Sequence, residues 1–377
     1  MNKKDIGKIK RRLNLEKHNI TCIRGCYVNG QGDVITAFTR SLQAMGQEEG
    51  EMYLSLFRKV LSGNQGQNLL DMDFTPEQVM ESQQHHLLTA LKDCALRDED
   101  IVDHCFQLIR DSFQAEEHYL ILMLHDGYDL PQYTQDGEMD RDNATQVFHY
   151  VLCAVCPVKL TKDALCYNAS ENDFRSKMAD WAVSAPEVGF LFPAFEEGAA
   201  NIYRALYYTR DTAVHQDALI DSLFGAAPPM PAKAQQEAFQ ALLQDTLQED
   251  CSYEVLQAVH DQVMEKMEVQ KAEKIQEPLM IGKWDVTQVL EECGVPQEKA
   301  QAFEAKYDEQ FGSQTQLSAA NVVSPRQFRL RTPNVVISVS PDRSDLVETR
   351  IIDGHPYILI RAEEGVEVNG VNVNIQP

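Results

Sequence analysis

The sequence lacks the short motifs that identify several large classes of enzyme. It contains no phosphate-binding G-x-x-x-x-G-K-[ST] loop, no dinucleotide-binding G-x-G-x-x-G turn, no zinc-binding H-E-x-x-H pair and no G-x-S-x-G nucleophile turn. These absences argue against nucleotide-driven, zinc-peptidase and serine-hydrolase chemistry. The sequence therefore predicts no catalytic residue, no metal site and no cofactor.

Long apolar runs are also missing. No stretch is apolar over the length that crosses a bilayer, and the first residues lack the apolar centre of a secretion signal. The nine cysteines are an odd number, and they are scattered through segments that are typical of strands and helices rather than of loops. This usage is typical of reduced thiols. We therefore expect a cytoplasmic protein with no membrane partner.

Basic residues are scarce: 34 Lys and Arg stand against 58 Asp and Glu, a formal net charge of −24. Such a charge repels phosphate backbones and disfavours nucleic acid as a partner. Residues 1–18 are the exception, with seven Lys or Arg and two acidic residues. They predict a basic helix that lies on, or is solvated beside, an acidic body. The alternative is a contact with nucleic acid through Lys3, Lys4, Lys8, Lys10, Arg11 and Arg12.

Two apolar runs organise the rest of the chain. Val147–Val158 has ten apolar residues out of twelve, and Tyr119–Leu124 is apolar throughout. Both are rich in strand-forming residues and too short to span a membrane, so we expect strands covered on both faces. The long polar loop between them favours antiparallel neighbours, which periodicity alone does not decide.

The pattern of elements predicts an α+β protein with a mixed, largely antiparallel sheet and flanking helices. Residues 225–231 contain three prolines and predict a domain boundary. We expect a main α+β domain over residues 1–225 and a helical hairpin connector over residues 226–282. A helix pair and a small antiparallel β domain then occupy residues 283–377. In that last segment Asp353-Gly354 and the sequence VEVNGVNVNI are hairpin signatures.

Caps and apolar spacing predict further elements of the main domain. The run Gly189–Phe195 contains Pro193, which disfavours a strand, so it is interpreted as a buried corner. Three helices are predicted, namely Thr75 to about Lys92, a helix capped by Ser170 or Asn172 that carries Met178, Trp181 and Ala182, and Ala199–Tyr208.

The most suggestive polar pair is His125-Asp126, which directly follows an apolar run. A histidine beside carboxylates can act as a general base, and sites are often built at strand ends. The candidate ligand-binding residues are His125, Asp126, Tyr128, Asp129 and Arg24. Arg24 comes from a predicted hairpin, in which Ile20–Val28 and Asp33–Thr39 flank the loop Asn29-Gly30-Gln31-Gly32. The alternative, which the pattern favours, is an ordinary turn at Asp-Gly followed by Asp-Leu-Pro.

Two patterns resemble metal or redox motifs, and each fails on its spacing. Cys153 and Cys156 lie three apart on a predicted strand, so their thiols point to opposite faces and predict core residues. An acidic loop has the alternation of a calcium-binding loop, but Arg141 and Val147 occupy the positions of its required glycine and glutamate. The alternating residues are Asp136, Glu138, Asp140 and Asp142.

Five segments taken together carry a resemblance. They are MNKKDIGKIKRR, ITCIRGCYVN, YLILMLHDGYDLP, SAPEVGFLFPAFEEGAANIYRALYYTRD and IIDGHPYILIRAEEGVEVNG. As a set they resemble a bacterial family known only as a domain of unknown function, DUF4317, over nearly the full length. The resemblance implies an intracellular bacterial protein. It implies no activity, cofactor or catalytic residue.

These observations favour a protein that acts by interaction or regulation, without catalysis. The missing catalytic motifs, the uneven charge and the hairpin edges of the last segment, which can accept a partner strand, support it. The competing hypothesis is an enzyme or small-ligand-binding protein with its site near His125 and Asp126. The sequence does not give the ligand, the partner or the oligomeric state.

Overall fold

The chain folds into helices, one large antiparallel sheet and several small two-stranded sheets, which confirms the predicted α+β class. The structure is a computed structural model that describes residues 1–16, 18–115, 117–130, 146–168, 170, 172–196, 199–226, 229–273, 279–324, 327–362, 365–368 and 371–373. It divides into two compact units, Met1–Ala232 and Lys233–Pro377. The predicted boundaries at residues 225 and 282 stay predictions.

The first unit contains most of the strands. Its helices are α1 (Lys3–Arg12), α2 (Gln47–Val60), α3 (Pro76–Glu81), α4 (Gln83–Asp93), α5 (Glu99–Ser112) and α6 (Asp217–Phe224). Its strands are β1 (Cys22–Val28), β2 (Val34–Ser41), β3 (Leu69–Asp73), β4 (His118–Leu130), β5 (Gln146–Leu160), β6 (Ala164–Asn168), β7 (Asp173–Lys177), β8 (Trp181–Val183), β9 (Val188–Phe192), β10 (Ala194–Glu196), β11 (Ala199–Asn201) and β12 (Arg204–Thr209).

The large sheet has the strand order β2-β1-β4-β5-β9-β12-β3, with β8 paired to one end of β5. Strands β4 and β5 are antiparallel neighbours over their whole length, with Leu122 opposite Ala154 and His125 opposite Val151. The predicted pairing of the two apolar runs is therefore confirmed. Strands β1 and β2 form the predicted hairpin, and β1 pairs with the outer edge of β4.

Both faces of the central strands are buried. Met123 and Val151 belong to one core cluster, which is closed by α4, α5 and α6, whereas Leu122 and Leu152 belong to a second cluster, which is closed by α1 and α2. All four side chains are at most 1% exposed. Alternation along each strand sends successive side chains to opposite faces. For this reason the thiols of β5 also separate, one into each cluster, as predicted.

The predicted helix from Thr75 to Lys92 is interrupted. Thr75 and Gln78 form the predicted capping box, but Ser82 is extended, with φ −77° and ψ 135°. The Ser82 hydroxyl accepts a hydrogen bond from the backbone N–H of His85, so it caps a second helix. The segment is therefore two helices, α3 and α4, rather than one.

Two other predicted helices are wrong, because these segments pair as strands. The segment around Met178 and Trp181 forms β7 and β8, and β8 pairs with β5. The segment Ala199–Tyr208 forms β11 and most of β12, and β12 lies between β9 and β3. Pairing with distant strands outweighs local propensity here. The run Gly189–Phe195 is buried as expected, but disfavouring a strand there was wrong, because the run belongs to β9 and β10 on either side of Pro193.

The second unit begins with helices. Its helices are α7 (Ala232–Leu247), α8 (Tyr253–Ala272), α9 (Lys283–Glu292), α10 (Gln297–Phe311) and α11 (Ala319–Val322). Its strands are β13 (Met280–Ile281), β14 (Leu317–Ser318), β15 (Phe328–Arg331), β16 (Val336–Val339), β17 (Val347–Ile352), β18 (His355–Ile360), β19 (Val366–Val368) and β20 (Val371–Val373). Helices α7 to α10 share one core, in which Phe239, Val259, Leu290 and Phe303 are buried.

The last strands of the second unit form three antiparallel hairpins, β15–β16, β17–β18 and β19–β20. The β17–β18 turn has positive φ at both central residues, 51° at Asp353 and 80° at Gly354, as a tight two-residue hairpin turn requires. Both predicted hairpins are therefore confirmed as strand pairs. The Asn369-Gly370 turn of the last hairpin lies outside the described residues, as does the acidic loop from Asp136 to Asp142.

Candidate functional site

The predicted pair His125-Asp126 is split between the two faces of the sheet. His125 lies opposite Val151 in the β4–β5 register, on the face closed by α4 to α6. Asp126 lies opposite Tyr150, on the face closed by α1 and α2. Both residues belong to β4 rather than to a turn, because the strand continues to Leu130. The two side chains therefore point away from each other, and each has its own surroundings.

The Asp126 carboxylate is fully buried and accepts three hydrogen bonds. Its donors are the backbone N–H of Asn19 at 2.7 Å, the Tyr150 hydroxyl at 2.8 Å and Nε of Arg12 at 3.3 Å. Burial, followed by the Asp126 charge, raises the pKa of Tyr150 well above its usual value, so this hydroxyl stays protonated and donates.

Arg12 and Asn19 also bind the strand backbone next to Asp126. Nη2 of Arg12 and Nδ2 of Asn19 both donate to the carbonyl oxygen of Gly127, at 3.0 and 2.7 Å. The Arg12 guanidinium lies 4.6 Å from the ring centroid of Tyr128, which is the other candidate residue on this face. Asp126 and Tyr128 thus hold the end of α1 on β4, which is a structural role.

The opposite face brings His125 together with His149, and their ring centroids are 5.3 Å apart. Burial of the ring, followed by the neighbouring His149, lowers the pKa of His125 to about 4. His125 is therefore neutral at pH 7. A general base works best with a pKa near the working pH and an orienting carboxylate, and this arrangement supplies neither.

Arg24 and Asp129 do not complete a site around His125. Arg24 lies on β1 opposite Met123, and its Nη1 is 3.9 Å from a carboxylate oxygen of Glu99 on α5. The backbone of Asp129 continues β4 opposite Val147, and its side chain lies outside the described residues. The four predicted candidates whose side chains are described, His125, Asp126, Tyr128 and Arg24, therefore do not converge on one pocket.

Sequence reasoning missed the residues that contact Asp126. Arg12 and Asn19 precede it by 114 and 107 positions, and Tyr150 follows it by 24. Arg12 was singled out only for its charge. The apolar spacing of α1 predicts which helix face is buried, but not that its last arginine meets a buried carboxylate.

A second feature is an open depression of about 630 Å³ along α1, named here the basic depression. The residues that line it are Lys3, Lys4, Gly7, Lys10, Arg11, Leu13, Asn14 and Arg58. Two of the six basic residues singled out in the sequence do not line it. Lys8 pairs with Asp5 at 2.8 Å, and Arg12 binds Asp126.

A third feature is an exposed apolar face on the β17–β18 hairpin, named here the hairpin face and defined as Ile351, Ile358 and Ile360. Thr349 lies opposite Ile358 and Ile351 opposite Pro356, which puts these side chains on the same side of the hairpin. Their exposed fractions are 78% for Ile351, 56% for Ile360 and 36% for Ile358. In contrast, Val259 on α8 and Leu290 on α9 are buried in the helical core of the same unit.

One polar cluster in the second unit contains the residue types of a hydrolase triad in the wrong arrangement. The Ser344 hydroxyl lies 2.9 and 3.0 Å from the two carboxylate oxygens of Asp261, and Nδ1 of His260 lies 3.1 Å from one of them. The carboxylate thus stands between serine and histidine. A triad needs the imidazole in that place, so this cluster does not activate a nucleophile.

In the part of the chain that the structure describes, no group of three or more His, Cys, Asp or Glu side chains is arranged to hold a metal ion. Among the described helices, none combines the length and the apolar composition that a membrane span needs.

The chain belongs to the DUF4317 family. The model of this family, described as "Domain of unknown function (DUF4317)", matches residues 1–371. A comparison with curated proteins and a comparison with solved structures each found no match. The family resemblance carried by the five sequence segments is therefore confirmed, and it assigns no specific function.

Proposed function

We propose that this member of the DUF4317 family is a bacterial interaction protein that binds a partner protein through the hairpin face, without catalysis. The observation that carries the proposal is the exposure of Ile351, Ile358 and Ile360 on one side of a single hairpin. Large apolar side chains that are exposed together are typical of protein-binding surfaces. A two-stranded hairpin is also marginal in water unless another element covers it.

The hairpin is held firmly at its base. The Tyr253 hydroxyl on α8 donates to the carbonyl oxygen of Val347 at 3.1 Å, and the Thr349 hydroxyl lies 3.0 Å from a carboxylate oxygen of Glu254. Val347 is 2% exposed, whereas Ile351 at the far end is 78% exposed. The hairpin therefore projects from an anchored base, which keeps the hairpin face in a defined geometry for a partner.

Charge further supports this location. Residues 326–377 carry six Arg and seven Asp or Glu, a balance of −1, whereas the other 325 residues carry 28 basic and 51 acidic side chains, a balance of −23. A partner that docks on the nearly neutral segment avoids most of the repulsion from the acidic remainder.

The partner that fits best is an extended apolar segment of a different protein, added as a third strand. Among the described strands, β17 and β18 pair only with each other, so each keeps one free edge. A strand added there gains backbone hydrogen bonds, and its apolar side chains extend the hairpin face. A second copy of this chain fits less well, because it brings another net charge of −24.

The test compares capture from the native bacterial lysate by the parent chain and by the double variant Ile351→Ser/Ile360→Ser. We expect a stoichiometric partner with the parent and its loss with the variant. The matched control is Met178→Ser, because Met178 is 80% exposed and lies in the first unit. Absence of any stoichiometric partner, or equal capture by all three chains, contradicts the proposal. Light scattering of the purified chain detects self-association, which would replace the hetero-partner.

The cytoplasm is proposed as the compartment. All nine cysteines are free thiols, and Cys105 and Cys153 are fully buried within the core. Burial raises the pKa of Cys105 to about 12, which keeps it protonated and unreactive. Free thiols in this number suit a reducing compartment.

The competing hypothesis, an enzyme or ligand-binding site near His125, gains no support from the geometry, because His125 and Asp126 face opposite ways. A thermal-shift screen of metabolites and metals, repeated on His125→Ala, tests it. A ligand that stabilises the parent chain but not this variant would revive the hypothesis.

A further inference from the structure

The basic depression has no role in the proposed partner binding, and its residues are sorted by the geometry of α1. The helix repeat of 3.6 residues places positions 3, 4, 7, 10 and 11 on one face, and these line the depression. Ile6 and Ile9 occupy the opposite face and are at most 5% exposed. Because the core fixes the apolar face, the cationic face is turned toward the depression.

The volume of the basic depression suits a small molecule. About 630 Å³ lies within the range of pockets that hold small ligands, roughly 300–1,000 Å³. Gly7 keeps its centre open, since a Cβ built there meets no atom within 4 Å. Any larger side chain at this position would occupy space that a ligand needs.

Three of the five cations are held in place by groups of the protein. Nζ of Lys10 donates to the Ser62 hydroxyl at 2.6 Å, and Nε of Arg11 donates to the carbonyl oxygen of Gly7 at 3.0 Å. Nη1 of Arg58 on α2 donates to the carbonyl oxygen of Leu13 at 2.7 Å. These contacts orient the side chains before any ligand arrives, which lowers the entropic cost of binding.

Most of this positive charge is left without a counter-charge. Arg58 pairs with Glu51. Within the described residues, Lys3 and Lys4 make no ion pair, and both are exposed. None of the described lining residues is acidic. A cluster of five cations around one depression, on a chain of net charge −24, is an anion-binding arrangement.

We propose that the basic depression binds a small anion that carries two or more phosphate groups. Arg and Lys donate charge-assisted hydrogen bonds to phosphate oxygens, and the planar guanidinium groups of Arg11 and Arg58 are able to bind in a bidentate manner. Several cations favour a multiply charged ligand over a single carboxylate. A long nucleic acid fits less well, because the chain as a whole carries a net charge of −24, which repels an extended phosphate backbone.

The direct test is titration calorimetry with inorganic tripolyphosphate at low salt. We expect the parent chain to bind, and the double variant Lys3→Glu/Lys4→Glu to bind at least 10-fold more weakly. The control is Lys162→Glu, which changes the charge of an exposed lysine of the same unit outside the depression. This control should bind like the parent. Raising the salt should weaken binding to the parent, because the interaction is between charges.

A second variant tests whether binding depends on the shape of the basic depression as well as on its charge. Gly7→Leu fills the centre of the depression without altering any charge, and leucine is a better helix former than glycine, so folding is preserved. We expect it to weaken tripolyphosphate binding about as much as the charge reversal. Failure of the parent to bind, or equal binding by the parent and both variants, overturns the proposal. Tighter binding of a 20-nucleotide single strand than of tripolyphosphate, lost in the same variants, overturns it in favour of nucleic acid.

Discussion

Two antiparallel pairs of apolar strands lie in different units of this protein, and they differ in what covers them. In β4–β5 the central side chains are at most 1% exposed, because helices close both faces of the sheet. In β17–β18 the same residue types are largely exposed, and Tyr253 of α8 holds the hairpin at Val347, near its base. An apolar pattern thus favours a strand in both units, whereas the coverage of that strand distinguishes the structural core from the proposed docking surface.

The largest expected effect on stability comes from shortening a side chain in the buried strand pair β4–β5. Leu122→Ala leaves a cavity in a fully buried position and should lower the free energy of unfolding by about 2–5 kcal/mol. The same truncation at Ile351, which is 78% exposed, should change it by no more than about 0.5 kcal/mol. Urea unfolding of both variants measures the difference. Equal losses of unfolding free energy in the two variants would contradict the contrast between the buried pair β4–β5 and the exposed pair β17–β18.

A similar contrast holds for ion pairs. Arg12→Met leaves the fully buried Asp126 carboxylate without its cation, which should cost about 3 kcal/mol or more. Arg350 on β17 pairs with Glu348 at the surface, and Arg350→Met should cost at most about 0.5 kcal/mol. Both changes replace arginine by methionine, so the same unfolding measurement compares an arginine that pairs with a buried carboxylate with one that pairs at the surface. Part of the cost at Arg12 comes from its hydrogen bond to the Gly127 carbonyl oxygen. A cost for Arg12→Met below 1 kcal/mol would contradict the role given to Asp126.

Acid should lower the stability of the β4–β5 pair through protonation of His125. The neighbouring His149, Lys92 and Arg97 disfavour the protonated ring, whereas the charge of Asp126 favours it. Histidine titrates near 6.5 in the unfolded chain, whereas burial lowers the pKa of His125 to about 4 in the folded chain. Between these values only the unfolded chain binds the proton, so stability falls as the pH drops from 6.5 toward 4.

The size of this acid effect is measured against a variant that does not titrate. Between pH 7 and 4 the parent should lose about 1–2 kcal/mol more stability than His125→Gln, because the partly exposed ring screens part of the shift. Urea unfolding at the two pH values gives both losses. If parent and variant lose the same amount, His125 does not contribute to the acid sensitivity.

The sequence predicts the buried strands β4 and β5 well. A continuous apolar run of strand-forming residues, as in Val147–Val158, favours a strand buried on both faces. Helix caps and hairpin turns also depend on neighbouring residues alone. The cap predicted at Thr75 and the hairpin turn predicted at Asp353-Gly354 are both confirmed. In contrast, the helix predicted over Ala199–Tyr208 is wrong, because most of this segment pairs as the strand β12. Its strand partner, Leu69–Asp73, lies more than 130 positions earlier.

The candidate site likewise depends on contacts between distant segments, which local sequence patterns do not predict. Strand alternation follows from local spacing, and it already places His125 and Asp126 on opposite faces once β4 is recognised to run past them. The contacts that give Asp126 its role come from α1 and the segment after it. Likewise, the β17–β18 hairpin was predicted, but the exposure of Ile351 depends on which other elements reach it. These are tertiary properties that no local pattern carries.

Hydrogen–deuterium exchange of the isolated chain tests the contrast between covered and uncovered strands most directly. We predict that the amides of β4 and β5 exchange with the slowest rates in the molecule, close to the rate of global unfolding, because only complete unfolding exposes them. The amides of residues 351–360 should exchange orders of magnitude faster in the absence of a partner. Equal protection of the two strand pairs, or faster exchange in β4 and β5, would contradict the account.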